Sequence, residues 1–157
     1  MKINSISEFN EVYEELRDSL EKQTKKIIVC GGTGCVAGGA LKIFDELNRL
    51  LTENNIAGEV NLDKKDDNIS LKKSGCPGLC EAGPLVRVEP DNILYTKVKV
   101  EDCEEIIKET YINKKPVERL MLNIDEELLP NEEHIPFYLN QSRLVLDDCG
   151  KIDAESI

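Results

Sequence analysis

Lys26-Ile27-Ile28-Val29-Cys30-Gly31-Gly32-Thr33-Gly34-Cys35 is the stretch on which the reading of this chain turns. Ile27 to Cys30 is a short apolar run of the kind a buried strand shows, and it passes directly into a glycine-rich turn bounded by two cysteines. Downstream, residues 37–54 place Ala40, Ile43, Phe44, Leu47, Leu50 and Leu51 on one helical face, and Asn54-Asn55 supplies a stop signal. Upstream, residues 6–24 set Phe9, Val12, Tyr13, Leu16 and Leu20 at helical spacing, with Ser7 as the expected N-cap.

Further along, residues 57–73 alternate weakly around the polar run Lys64 to Asn68 and read as one or two strands. Ser74 to Gly83 is a loop rich in Gly, Cys and Pro. Leu85-Val86-Arg87-Val88 and Ile93-Leu94-Tyr95-Thr96 read as two strands joined by Glu89-Pro90-Asp91-Asn92, which is turn chemistry, so a hairpin is expected. A last helix over about 100–111 places Val100, Cys103, Ile107 and Thr110 on one side. A β-α-β unit followed by a hairpin and a closing helix is the thioredoxin-like arrangement, an α/β fold with a central mixed sheet flanked by helices. Periodicity fades after Asn113, and residues 114–157, with Pro116, Pro130 and Pro136, read as an extended tail or linker. No internal repeat or low-complexity segment is visible.

Composition narrows the function. The 157 residues carry a net charge of −11 with no Trp, so neither a basic patch for phosphates nor a base-stacking surface is available, and nucleic-acid binding is set aside. No apolar run approaches the roughly 18 residues needed to span a bilayer. The Glu-dotted start from Met1 to Leu20 lacks the basic and apolar regions of a signal peptide, so a cytoplasmic protein is expected. Thiols stay reduced there, and six cysteines then suggest metal or redox chemistry before disulfides.

Four of the six fall in two close pairs, Cys30-x4-Cys35 and Cys76-x3-Cys80, each in a glycine-rich loop that leaves a strand. A [2Fe–2S] cluster needs four converging thiolates, and two loops at neighbouring strand ends supply that geometry. With its thiolates the oxidised cluster is a dianion, and reduction makes it a trianion, so backbone N–H groups must face its sulfurs. Gly31, Gly32, Gly34, Gly75 and Gly78 allow close backbone approach and positive φ. A helix starting just after Cys35 would also turn its positive end to the site. Spacing alone leaves two alternatives open: a zinc ion, which takes four cysteines at similar intervals and would make the chain a thioredoxin-like docking module without redox activity, and a set of redox thiols. A dithiol oxidoreductase ranks last, because neither pair has the C-x-x-C spacing.

Cys30-Gly-Gly-Thr-Gly-Cys35 and Gly75-Cys76-Pro-Gly-Leu-Cys80-Glu-Ala-Gly-Pro84 together resemble the thioredoxin-like [2Fe–2S] ferredoxins. The resemblance implies that Cys30, Cys35, Cys76 and Cys80 are the cluster ligands, and that the chain transfers one electron at a time without bond chemistry of its own. It continues through Tyr95 to Val98, Val100 to Asp102 and Lys115 to Leu120. Ile135 to Leu139, Arg143 to Leu146 and Cys149 to Ile157 are similar to a junction at which such a domain meets the NADH- and FMN-binding core of a flavoprotein subunit. Subunits of that kind occur in multimeric NAD-linked hydrogenases, electron-bifurcating ones included, and in formate and NADH dehydrogenases. The implied organisation is a ferredoxin domain over 1–113 and a linker over 114–157 leading towards a flavoprotein core. The implied partners are that core and other iron–sulfur subunits, with a homodimer also compatible. Since the glycine-rich flavin and nucleotide segments come after the junction, this chain is expected to bind neither FMN nor NAD.

The remaining candidates have plainer readings. Cys103 suits packing on the apolar face of the last helix. Cys149 is expected as an exposed tail thiol, and His134, alone, as a solvated loop residue, since a Rieske-type centre needs two histidines. Pro84 fixes the start of a strand, and Glu104-Glu105, Asp125 to Glu127 and Glu132-Glu133 read as solvated faces.

Overall fold

β1 (Lys26–Cys30) pairs on both sides: with β2 (Ser70–Ser74) in parallel and with β3 (Val86–Glu89) antiparallel. β4 (Ile93–Tyr95) completes a mixed sheet of order β2-β1-β3-β4. The parallel register sets Cys30 opposite Ser74, so both strands end level and their following loops leave the same end of the sheet. The incoming end of β3 lies there too, where the Cys30 amide donates to the Leu85 carbonyl at 3.0 Å and Gly31 donates to Ser74 at 2.8 Å. This computed structural model describes residues 3, 5–22, 25–54, 69–145, 147 and 149–150. The strand expected before Ile69 falls on residues outside these.

Opposed residues share a face of the sheet, so Ile27, Val88 and Ile93 form one row and Val29, Val86 and Tyr95 the next. Against it packs α3 (Ala40–Glu53), whose Ala40, Ile43, Leu47, Leu50 and Leu51 are buried at helical spacing. Truncating Leu47, which is fully buried, to Ala would cost about 2–5 kcal/mol through lost contacts and the cavity left behind. The helix ends at Asn54, whose side chain donates to the Leu50 carbonyl.

Three local expectations change. The N-cap of α1 (Ile6–Lys22) is Ser5 rather than Ser7, because the Ser5 hydroxyl accepts the Glu8 amide. The helix expected over 37–54 begins only at Ala40, as α3, and an unexpected short helix, α2 (Thr33–Ala37), precedes it across a break at Gly38-Gly39. Gly39 has φ +99°, a conformation an L side chain resists, and Gly38 lies so close to Pro84 that a Cβ would meet its ring at 3.1 Å. The closing helix over 100–111 begins as a 3₁₀ turn (Val100–Asp102), passes through α4 (Cys103–Glu105) and widens to a π-helix (Ile106–Ile112). The widening turns Ile106, Ile107 and Thr110 inward while Val100 stays exposed.

After Asn113 the chain stays on the sheet as a strap. Val117 and Leu120 join the core, and Tyr95 bridges Met121. The Leu120 and Pro130 carbonyls accept the Thr96 and Leu94 amides, so the open edge of β4 is covered. Between these ties β5 (Leu122–Ile124) and β6 (Glu127–Leu129) form a hairpin whose two turn residues, Asp125 and Glu126, both have positive φ. A short α5 (Pro136–Leu139) follows buried Ile135. No helix among the described residues is long and apolar enough to cross a membrane.

Candidate metal centre

Level strand ends bring the two cysteine loops together. Cys30 is the last residue of β1, and Cys35 lies one helical turn on, inside α2; they are 3% and 1% exposed. Cys76 leaves β2 two residues after Ser74, and exposed Cys80 opens a 3₁₀ turn (Cys80–Ala82). The Cys76 and Cys80 sulfurs are 3.3 Å apart, and the Cys30 and Cys35 thiols lie near enough for Cys35 to raise the Cys30 pKa. A Cβ on Gly32 would lie 3.5 Å from the Cys30 sulfur and 3.4 Å from the Cys76 sulfur, which places the two pairs against one another. All four expected ligands therefore share one site, and all six cysteines are free thiols.

The backbone is shaped to that site. The second loop bends the Gly78 N–H back onto Cys76, two residues earlier, at 3.3 Å, and in the first loop the Gly32 N–H lies near enough to Cys30 to favour its thiolate. Gly78 has φ +106°. Of the five glycines expected to supply close approach, Gly32 is essential on steric grounds, because a Cβ would meet Cys76 Cβ at 2.7 Å. Gly31 spends its amide on Ser74, and a Cβ on Gly75 would meet nothing within 4 Å. Gly83 escaped the sequence reading, yet a Cβ there would lie 2.7 Å from the Cys35 sulfur. Its signal was available in Ala82-Gly83-Pro84, directly after the second pair. The Gly83-Pro84 bond is cis.

The expected helix end is not formed as anticipated. α2 starts at Thr33, so Cys35 lies within the helix rather than ahead of it, and the next helix starts beyond Gly39. The negative charge of the site meets single amides, not a long helix dipole.

Burial pushes the Cys30 thiol up to about 12; the Gly32 N–H offsets part of this, and Cys35 and Cys76 add to it. Cys80 is raised as well, first by its hydrogen bond with Cys76. Thiols crowded in this way oppose one another's ionisation, and bound cations relieve that opposition. The donor set fits an iron–sulfur cluster: four soft sulfurs in two pairs, with N–H donors aimed at two of them. Among the described residues, no three His, Cys, Asp or Glu side chains gather tightly round one point as a single-ion site.

The other candidates lie apart from this group. Cys103 is fully buried, with the Ile43 and Lys99 carbonyls 3.9 and 3.8 Å from its sulfur, and burial raises its thiol to about 12. His134 is exposed and holds Asn131 Oδ1 at 2.6 Å through Nδ1. Cys149 is half-buried rather than exposed, because Gly150 behind it seats on Pro77 and passes its carbonyl to Arg87 at 3.2 Å. Tyr138 and Arg143 also reach the Pro77 carbonyl, each at 3.2 Å. These strap contacts had no trace in the cysteine pattern.

Residues 1–111 match the family model of the thioredoxin-like [2Fe-2S] ferredoxin. A 2Fe-2S ferredoxin of Aquifex aeolicus (strain VF5) is 42% identical over 53 residues, which cover 34% of this chain and 48% of the relative. A 2Fe-2S ferredoxin of Clostridium pasteurianum is 35% identical over 63 residues, covering 39% and 62%. The matched segments thus span about half to three fifths of these curated relatives. The solved thioredoxin-like [2Fe-2S] ferredoxin from Aquifex aeolicus superposes with a TM-score of 0.51 at 26% identity, over 62% of this chain and 89% of that one. The family match covers well over half of the chain and coincides with the domain that carries all four clustered thiols. This chain belongs to the thioredoxin-like [2Fe–2S] ferredoxins, electron carriers with a [2Fe–2S] cluster as prosthetic group.

Proposed function

We propose that Cys30, Cys35, Cys76 and Cys80 hold the cluster, and that the carrier works beside an NADH- and FMN-dependent flavoprotein core in a multimeric oxidoreductase of the hydrogenase or NADH dehydrogenase type. The ligand reading rests on one observation: the parallel β1–β2 register ends both strands level and sets the two thiol pairs together. The bound cluster supplies a one-electron store, with a potential on the order of −400 mV if all-thiolate ligation places it with plant-type centres. Cys30 and Cys35 anchor that store in the core, where water is excluded. Gly32 and Gly78 offset negative charge on Cys30 and Cys76 with their amides. Exposed Cys80 marks the side from which a redox partner gains the shortest approach.

The parent context draws its support from the resemblance of Ile135 to Leu139, Arg143 to Leu146 and Cys149 to Ile157 to a flavoprotein junction; Leu146 and Lys151 to Ile157 lie outside the described residues. A flavin exchanges electrons in pairs with NADH and singly with a cluster, so a carrier of this kind beside it splits or stores the pair. A cytoplasmic location belongs to the same proposal. Reconstitution tests it: mixed with a flavoprotein core from such an enzyme and NADH, the loaded chain should become reduced, and the Cys80→Ser chain should do so more slowly or not at all. Failure of the wild type to accept electrons from any such core, while dithionite reduces it, would remove the flavoprotein context and leave the carrier.

A further inference from the structure

The Pro77–Gly78 peptide is engaged at both ends. Its amide donates to the Cys76 sulfur at 3.3 Å, and its carbonyl accepts two hydrogen bonds from the strap, from the Tyr138 hydroxyl and from Arg143 Nη2, each 3.2 Å long. The Arg143 guanidinium carbon lies 4.3 Å from the centre of the Tyr138 ring, so each donor holds the other in place. The clamp is tight against the loop, since a Cβ on Gly78 would meet the Tyr138 oxygen at 3.1 Å. A peptide unit is conjugated from oxygen to nitrogen. Donors on its carbonyl, one of them cationic, therefore polarise its N–H and make it a stronger donor.

We propose that Tyr138 and Arg143 are positioning residues that act on the Cys76 sulfur through this one peptide, and so set how readily the carrier accepts its electron. The inference rests on the reading of Cys76 as a ligand. A strengthened N–H···S bond stabilises negative charge on the sulfur, and the reduced state carries more of it, so the strap favours reduction. Residues 61 and 66 positions from Pro77 thereby adjust a centre to which they contribute no ligand.

Redox titration of the loaded full chain, followed by visible absorption and by EPR, tests this with three variants. At the potential where the wild type is half reduced, the reduced-to-oxidised ratio should fall about threefold in Arg143→Gln and about twofold in Tyr138→Phe, with iron content unchanged. Arg143→Lys, which keeps the charge but not the planar fork, should recover part of the loss. Wild-type midpoints in both Arg143→Gln and Tyr138→Phe would overturn the proposal. A shift in Arg143→Gln with none in Tyr138→Phe would overturn it too, because it would show a charge acting through space rather than through the peptide. Should Arg143→Gln fail to hold iron, Tyr138→Phe decides by the same ratio. Cys76→Ser separates the two levels: an unchanged EPR signal in that variant removes Cys76 from the site and the inference with it. A lost or altered signal there, with unshifted strap variants, overturns the inference alone.

Discussion

Cys30 and Cys35 are carried by a central strand and a helix and are almost wholly buried, whereas the Cys76–Cys80 loop has one short 3₁₀ turn and an exposed cysteine. The first segment is held by its own neighbours: sheet pairing on both sides of β1 and packing under α3. The second is held from outside, by Tyr138, Arg143 and Gly150 on Pro77. The difference teaches that one pair is rigid through regular structure and the other through remote side chains. Changes near the first should act on whether the site forms, and changes near the second on how well it is kept.

Gly83→Ala should have the largest effect. Its Cβ would fall 2.7 Å from the sulfur of Cys35, which α2 prevents from retreating, so most bound iron should be lost. Gly75→Ala is the partner experiment: open space surrounds that position and its φ is not positive, so iron content should stay at the wild-type level. Equal loss in both would erase the distinction between a packed and an open glycine. Next comes Tyr95→Phe. The Tyr95 hydroxyl binds Thr110 at 2.7 Å and accepts the Val117 amide at 3.0 Å, so it roots the strap in the core. Removing it strands buried polar groups and should cost about 1–3 kcal/mol in urea unfolding.

Gly150→Ala should act on the second loop alone. The residue has φ +85°, and a Cβ would meet Pro77 Cβ at 2.8 Å, so the strap must lift from the loop. Iron loading should be normal but release to a chelator several-fold faster, and release at the wild-type rate would show that the strap does not retain the second pair.

The smallest effect concerns Cys103, and it depends on pH. Its folded-state pKa is raised to about 12, by burial first and then by Glu46, Asp102 and Glu101. The buried neutral thiol therefore adds stability below the ordinary thiol range, and that contribution is lost as pH climbs from about 9 towards 12. The stability advantage of wild type over Cys103→Ala should shrink across that window, and a constant difference would show that the thiol does not titrate there.

Much of the frame could be read from residues alone. Ile27 to Cys30, the α3 stripe and the Glu89 to Asn92 turn carry period and punctuation strong enough to place four elements, and the two cysteine pairs named their own loops. What stayed hidden has physical causes. The β5–β6 turn uses Asp125-Glu126 without the glycine that marks a positive φ, so the hairpin left no sequence mark. At the Gly38-Gly39 break, the close approach that excludes a Cβ at Gly38 is to Pro84, which is distant in sequence. Tyr138 and Arg143 recognise a backbone carbonyl, and a carbonyl has no side-chain identity for a pattern to reveal.

The central claim is that four particular thiols hold the cluster, and iron and sulfide counts with EPR on single Cys→Ser variants test it most directly. The account predicts two irons per wild-type chain and an S = 1/2 signal on reduction. Cys30→Ser, Cys35→Ser, Cys76→Ser and Cys80→Ser should each lose or alter that signal, and Cys103→Ser and Cys149→Ser should keep it. An unchanged signal in any of the first four, or its loss in Cys149→Ser from a chain that still folds, would contradict the assignment.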